Sequence, residues 1–202
     1  MSPVKNFSMF DFIKSNSSNT NHTKKEIELI IQEVLKCDKI DLYTNKALIP
    51  NKKQLQIILH YIEQINSGEP IQYVLNKSPF YGRNFFINKN VLIPRFDTEL
   101  IIEILKENGP YSDLLEIGTG SGNIAITIAK EKLAKNILAT DISNKKLSIA
   151  KHNKKIICPK SKIKLIVDDF FNSNINEKFD VIVSNPPYIP KNRINRLDES
   201  VK

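Results

Sequence analysis

Leu114-Leu115-Glu116-Ile117-Gly118-Thr119-Gly120-Ser121-Gly122 is an apolar run that passes into a glycine-rich turn, and the next residues, from Asn123 to Lys132, have helical character. Similar units follow. Apolar runs at Ile137 to Ala139, Ile163 to Val167 and Val181 to Val183 alternate with that helical stretch and a second one at Lys145 to Lys155. Strands apolar on both faces and separated by helices predict a parallel sheet covered on its two sides. The class is α/β. In an open sheet of this kind, the turn at the carboxyl end of the first strand is where nucleotides and their relatives bind.

Working outward toward the N-terminus, Phe85-Phe86-Ile87 and Val91-Leu92-Ile93, separated by Asn88-Lys89-Asn90, read as a β-hairpin within residues 78–93. Asp97 or Thr98 is placed to cap a helix that runs to about Glu107, before Gly109-Pro110. Further upstream the period is helical. Thr23 and Glu26 form a capping-box pattern ahead of Ile27, Ile30, Ile31, Val34 and Leu35, and a second amphipathic helix from Pro50 to Gly68 carries Ile58, Ile62 and Ile65. Residues 1–75 are therefore expected to form a small helical, substrate-recognising domain, and residues 76–202 the catalytic one.

Composition narrows the class. With 202 residues, 41% hydrophobic, 26% charged and 8% aromatic, the chain reads as a soluble globular protein, not as a collagen, a disulfide scaffold or a disordered tail. No apolar run approaches a bilayer span, and the N-terminus lacks a secretory layout, so a cytoplasmic location is expected. Cys37 and Cys158 stand far apart with no Cys/His clustering, which suggests neither zinc nor a disulfide. The net charge of +8 favours acidic partners. Its lysine pairs are scattered as solvated faces, so direct nucleic-acid binding is not expected.

The glycine spacing separates two ligand classes. Dinucleotide folds use G-x-G-x-x-G to aim a helix N-terminus at a pyrophosphate, whereas Gly118, Gly120 and Gly122 give G-x-G-x-G. A ligand without phosphates fits better, and S-adenosylmethionine is one. Thr119 and Ser121 complete that turn. Asp141, at the end of the next strand, could accept hydrogen bonds from both ribose hydroxyls, and Asp169 with Phe170, at the end of the third, could take the adenine amine and ring.

Ser184-Asn185-Pro186-Pro187-Tyr188 ends the fourth strand and carries the chemistry. Two prolines fix an extended backbone whose carbonyl oxygens are free. An Asn side-chain oxygen beside a proline carbonyl makes two acceptors for the hydrogens of one planar NH2 group, on which Tyr188 can stack. Such a nitrogen is a poor nucleophile because its lone pair is conjugated. Holding it in line with a sulfonium methyl, and favouring its pyramidal form, is catalysis by position and electrostatics.

Four segments, Gly68-Glu-Pro-Ile-Gln-Tyr73, Leu92-Ile-Pro-Arg-Phe-Asp-Thr-Glu99, Gly118 to Gly122 and Asn185-Pro-Pro-Tyr188, occur in the order seen in the class I release-factor glutamine methyltransferases, known as PrmC or HemK, which the chain resembles from about residue 24 to its end. The resemblance implies a Rossmann-like class I S-adenosylmethionine-dependent sheet and a helical N-terminal domain that grips a peptide chain release factor. It implies methylation of the glutamine amide in that factor's Gly-Gly-Gln motif; separately, a monomer is expected. Gly118 to Gly122, Asp141, Asp169, Phe170 and Asn185 would hold the donor, and Asn185, Pro186, Pro187 and Tyr188 the amide. Phe96 stands where the family usually has proline. The family's sheet usually has seven strands and this sequence stops soon after the fourth, so the expectation is either a partial chain or, with Val181 to Val183 on an open edge, a fragment that is poorly stable and barely active. The same Asn-Pro-Pro-Tyr device serves adenine methyltransferases of DNA and RNA, and a cofactor-binding remnant without turnover is a further alternative.

Overall fold

The structure, a computed structural model, describes residues 9–18, 24–45 and 47–186. One compact unit ends at Leu75 and a second begins at Asn76. The first is built from α1 (Met9–Ser18), α2 (Lys24–Leu35) and α4 (Lys52–Asn66), with the single turns α3 (Asp41–Thr44) and α5 (Ile71–Val74) between and after them. Isoleucines three and four apart form the buried stripe: Ile27, Ile30 and Ile31 of α2 meet Ile58, Ile62 and Ile65 of α4. Asn51 and Gln54 close a reciprocal capping box at the start of α4. Thr23, the expected cap of α2, lies outside the described residues.

One carboxylate is buried in this unit. Burial alone would raise the Glu28 pKa, but the Lys39 ammonium, 2.8 Å from Oε2, and the Tyr43 hydroxyl, which donates to Oε1, hold it below its usual value. Among the described residues, no helix is long and apolar enough to cross a membrane.

The second unit opens with a hairpin in a different register from the expected one. β1 (Lys77–Phe80) pairs antiparallel with β2 (Arg83–Phe86), and Lys77 faces Phe86. Tyr81 and Gly82 make the turn with φ of 47° and 70°, both in the left-handed region that a two-residue hairpin demands. Asn88-Lys89-Asn90 also turns, but Val91 to Arg95 continue as irregular chain, not as a strand. The reason lies in the turn. A tyrosine at positive φ is uncommon and gives no sequence signal, whereas the asparagines resemble a hairpin loop.

Four parallel strands follow, β3 (Tyr111–Ile117), β4 (Ala134–Asp141), β5 (Ile163–Val167) and β6 (Val181–Ser184), in the spatial order β5-β4-β3-β6. Helices α6 (Glu99–Asn108), α7 (Asn123–Lys130) and α8 (Asn144–Ile157) belong to the same unit. Cover is incomplete over the two outer strands: Val167 at the end of β5 is 56% exposed and Ile182 in β6 is 58% exposed. Among the described residues β6 pairs with β3 alone. The chain runs outward from β3 through β4 to β5, then returns to the other side of β3 as β6. Strand order thus reverses beside β3, and the crevice outside the carboxyl ends at such a reversal is the usual ligand site of this architecture.

Asn153 of α8 binds the hairpin to this crevice. Its Oδ1 accepts from the Phe86 N–H at 2.8 Å, while its Nδ2 donates to the Phe86 carbonyl at 2.9 Å and to the Ser121 carbonyl at 2.8 Å. Tyr81 adds two ties to α6. Its N–H donates to Glu99 Oε1 at 2.7 Å and its hydroxyl to Glu103 Oε1 at 2.6 Å, and that carboxylate is the main cause of a hydroxyl pKa pushed up to about 12.

Candidate active site

The parallel register brings Ile117 level with Thr140 on one side and Ser184 on the other, so the turns after β3, β4 and β6 leave the sheet together. All three glycines of the turn have positive φ, 75° at Gly118, 55° at Gly120 and 79° at Gly122. Their surroundings differ. A Cβ on Gly118 would meet nothing within 4 Å and one on Gly120 only the Gly118 carbonyl at 4.0 Å, whereas on Gly122 it would stand 3.0 Å from Ile126 Cδ1 and 3.1 Å from Ala150 Cβ. The first two leave room for a ligand. The third lets α7 and α8 approach. Backbone bonds stiffen the turn: Thr119 N–H donates to the Thr140 carbonyl and Gly122 N–H to the Thr119 carbonyl, each at 2.8 Å.

Glu116 organises the turn from below, a role that sequence reading did not assign. It is 1% exposed, and its Oε2 accepts from the Thr119 hydroxyl at 2.7 Å and the Ala125 N–H at 3.0 Å, which joins the loop to the first turn of α7. Loss of hydration outweighs these bonds, and Asp141 adds negative charge nearby, so the Glu116 pKa is pushed up to about 8. The folded protein therefore holds a proton that the unfolded chain, with its carboxyl near 4.5, releases. That contribution to stability is complete below pH 4.5 and is lost as pH rises toward 8. Urea midpoints measured across this window should decline for the parent more steeply than for Glu116→Gln, and equal slopes would contradict the assignment.

Asp141 lies against the turn. Its Oδ2 accepts from the Gly120 N–H at 3.1 Å and its Oδ1 from the Ser143 N–H at 3.0 Å, while Ser143 caps α8 by accepting from the Lys146 N–H. Helix capping thus falls to Ser143. Asp169 and Phe170 follow β5 at the same end of the sheet, where Val167 pairs with Asp141. Asp169 accepts from Phe171 N–H at 3.2 Å and Asn172 Nδ2 at 2.7 Å, and the Phe170 ring packs edge-on against Phe171. Neither lines the cleft described next.

Asn185 meets the glycine turn. An open cleft is lined by Gly118, Thr119, Gly120 and Ser121 together with Asn185, Thr98 and the Leu92-Ile-Pro-Arg95 segment. Ser184 Oγ donates to the Ile117 carbonyl at 3.0 Å, pinning the strand end from which Asn185 and Pro186 continue. Asn185 Nδ2 donates to Thr98 Oγ1 at 2.9 Å. Neither Asp97 nor Thr98 caps α6 as expected. Phe96–Thr98 form a single 3-10 turn that enters the helix, and the Thr98 hydroxyl is engaged with Asn185. Pro187 and Tyr188 lie outside the described residues. Of the expected donor residues, the cleft gathers Gly118 to Ser121 and Asn185, while Gly122 and Asp141 stand behind it. A second depression, among Lys151, Lys154 and Lys155, offers ammonium groups and apolar wall but no side-chain acceptor. Among the described residues no three His, Cys, Asp or Glu side chains are grouped to hold a metal.

Two family models match the chain, the Methyltransferase small domain over residues 95–197 and the PrmC N-terminal domain over residues 16–75. A release factor glutamine methyltransferase of Buchnera aphidicola subsp. Schizaphis graminum (strain Sg) is 36% identical over 190 residues, 91% of this chain and 67% of that one. The enzyme of that name from Clostridium acetobutylicum is 33% identical over 92% of this chain and 67% of its own, and that from Flavobacterium psychrophilum 37% identical over 83% and 56%. The chain thus spans between 56% and 67% of the length of these relatives. The α/β class read from the strand and helix alternation is borne out by the parallel sheet and by the domain match.

Proposed function

From the premise that this chain belongs to the release factor glutamine methyltransferase family, as its domain matches and relatives show, we propose that it takes part in S-adenosylmethionine-dependent methylation of a glutamine side-chain amide, that of the Gly-Gly-Gln motif in peptide chain release factors. The observation that carries this reading is the single cleft lined by both the open glycines and Asn185. The donor fits the residues present, because Gly118 and Gly120 leave uncrowded backbone where any other residue would place a side chain. Bound there, S-adenosylmethionine supplies an electrophilic methyl group on sulfur.

The chain's own residues do the rest. Gly118 to Ser121 bound the donor's seat. Asp141, whose oxygens accept from the Gly120 and Ser143 N–H groups and whose Oδ1 has Lys146 Nζ 3.9 Å away, is assigned to the ribose hydroxyls. Asp169 and Phe170 take the adenine side, and Gly122 keeps the helices close behind the turn. Asn185 Oδ1 and the Pro186 carbonyl accept the two hydrogens of the glutamine NH2, and Pro187 and Tyr188 belong to the same amide-binding motif. This arrangement orients the nitrogen and favours the pyramidal geometry it acquires in the transition state. No base need act first, since the nitrogen loses its extra proton readily once it is cationic. The helical unit ending at Leu75 serves recognition of the release factor.

Incubating the 202-residue chain with labelled donor, a release factor and, separately, DNA or RNA tests the reading. Label is expected in the Gly-Gly-Gln peptide. Label in nucleic acid alone would reject the assignment, and donor binding without any turnover would favour a binding remnant. Replacing Asp141 with Ala should weaken S-adenosylhomocysteine binding by about 1–3 kcal/mol, because the carboxylate bonds are charge-assisted. Calorimetric titration of the two proteins checks this, and equal affinities would remove Asp141 from the donor's seat.

A further inference from the structure

We propose that Thr98 is the positioning residue that holds the Asn185 carboxamide by its Nδ2 end and leaves Oδ1 for the acceptor, an inference that rests on the function proposed above. An Asn side chain is nearly symmetric in shape, with an acceptor oxygen at one end and a donor NH2 at the other, so its surroundings choose its orientation. Only one orientation serves an acceptor that is itself an NH2 group. With Oδ1 toward the cleft, Asn185 receives a hydrogen. Turned over, it would set two donor groups against each other.

The anchoring partner is Thr98. Asn185 Nδ2 donates to Thr98 Oγ1 at 2.9 Å, both residues line the cleft, and Thr98 is buried. The hydroxyl does no other work at the helix start, where Thr98 has helical backbone angles (φ −68°, ψ −19°) and makes no side-chain cap. Its own position is set by its N–H, which donates to the Arg95 carbonyl at 3.1 Å. Ser184, bonded to Ile117, holds the neighbouring backbone from the other direction. Thr98 therefore occupies one end of the carboxamide and leaves Oδ1 for the acceptor. It touches neither donor nor reacting atoms in this account and acts through Asn185.

The test compares Thr98→Val, which keeps the shape and removes the acceptor oxygen, with Thr98→Ser, which keeps the oxygen. The first readout needs no turnover: the side-chain NH2 resonances of Asn185, assigned by their disappearance in Asn185→Asp. In the parent and in Thr98→Ser one proton should be shifted downfield and slow to exchange, and in Thr98→Val this signature should be lost. The second is the single-turnover rate, expected to fall about 10- to 100-fold in Thr98→Val, as misplacement of a reacting group does, and to recover in Thr98→Ser. Affinity for S-adenosylhomocysteine should be the same in all three. If Thr98→Val does not fold, Thr98→Ala removes the same oxygen and is read in its place. Unmoved NH2 resonances, or parental rates in the variant without the hydroxyl, would overturn the inference. Full methyl transfer by Asn185→Ala would instead sink the reading of the site on which it rests, so the two failures are told apart.

Discussion

Asn185→Ala is expected to remove methyl transfer, lowering the single-turnover rate by about 10^2- to 10^3-fold or more, the loss typical of deleting one preorganised polar contact to a transition state. Donor affinity stays close to the parental value. The two outcomes separate because the groups have separate duties. In the proposed reading the backbone of Gly118 to Ser121 is the donor's seat, and Asn185, just after β6, lines the same cleft. Truncation to Ala leaves the β3–β6 pairing and the Ser184 bond to Ile117 in place, so the corner remains folded. What disappears is one of two acceptors for the glutamine NH2, and with it the alignment of a weak nucleophile. Quench-flow with a release factor substrate measures the first quantity, and titration with S-adenosylhomocysteine the second. Weakened donor binding with an unchanged transfer rate would reverse the roles assigned to Asn185 and the glycine turn.

Gly122→Val destabilises the fold by about 2–5 kcal/mol, combining left-handed strain of about 1–2 kcal/mol with overpacking of about 1–3 kcal/mol. That is a large part of the stability of an ordinary domain. At φ 79°, the new Cβ would stand 3.0 Å from Ile126 Cδ1, 3.1 Å from Ala150 Cβ and 3.3 Å from Ala150 Cα, and a backbone atom gives way less readily than a side-chain tip. Either α7 or α8 must move, and α8 carries Asn153, which holds both the hairpin and the Ser121 carbonyl. Loss of stability should therefore be accompanied by loss of donor binding. Gly118→Ala is the informative contrast. Its Cβ meets open space, so the backbone strain acts alone. Denaturant unfolding of both variants decides: equal, small losses would show that the third glycine has no packing role.

Much of this architecture was legible because it is written in short-range spacing. Alternation of apolar runs with helical periods reports the β3-α7-β4-α8-β5 series directly, since each strand and helix shows its own period within a dozen residues. The glycine turn and Asn185-Pro-Pro-Tyr188 were equally plain, because glycine and proline restrict the backbone wherever they stand. The hairpin was misplaced for the converse reason. Nothing local marks Tyr81 as a residue that will adopt positive φ, and the burial of Phe80 and Phe85 in the core of the second unit selects the register. Nothing in the spacing of the glycine motif marks Glu116 for a task. Its task follows from its burial beneath the loop, which depends on the strands at either side of β3.

The amino-acid order alone determined that a strand ends in an open glycine turn and that another ends in a proline-stiffened corner, because both are properties of backbone torsions within a few residues. Tertiary structure decided that the two strands are neighbours in matching register. It decided too that one of three similar glycines packs helices instead of facing the cleft, and that a threonine suited to capping a helix holds a carboxamide 87 positions away. Pairings of that kind are set by which elements lie side by side once the whole core is buried, and no spacing along the chain encodes them.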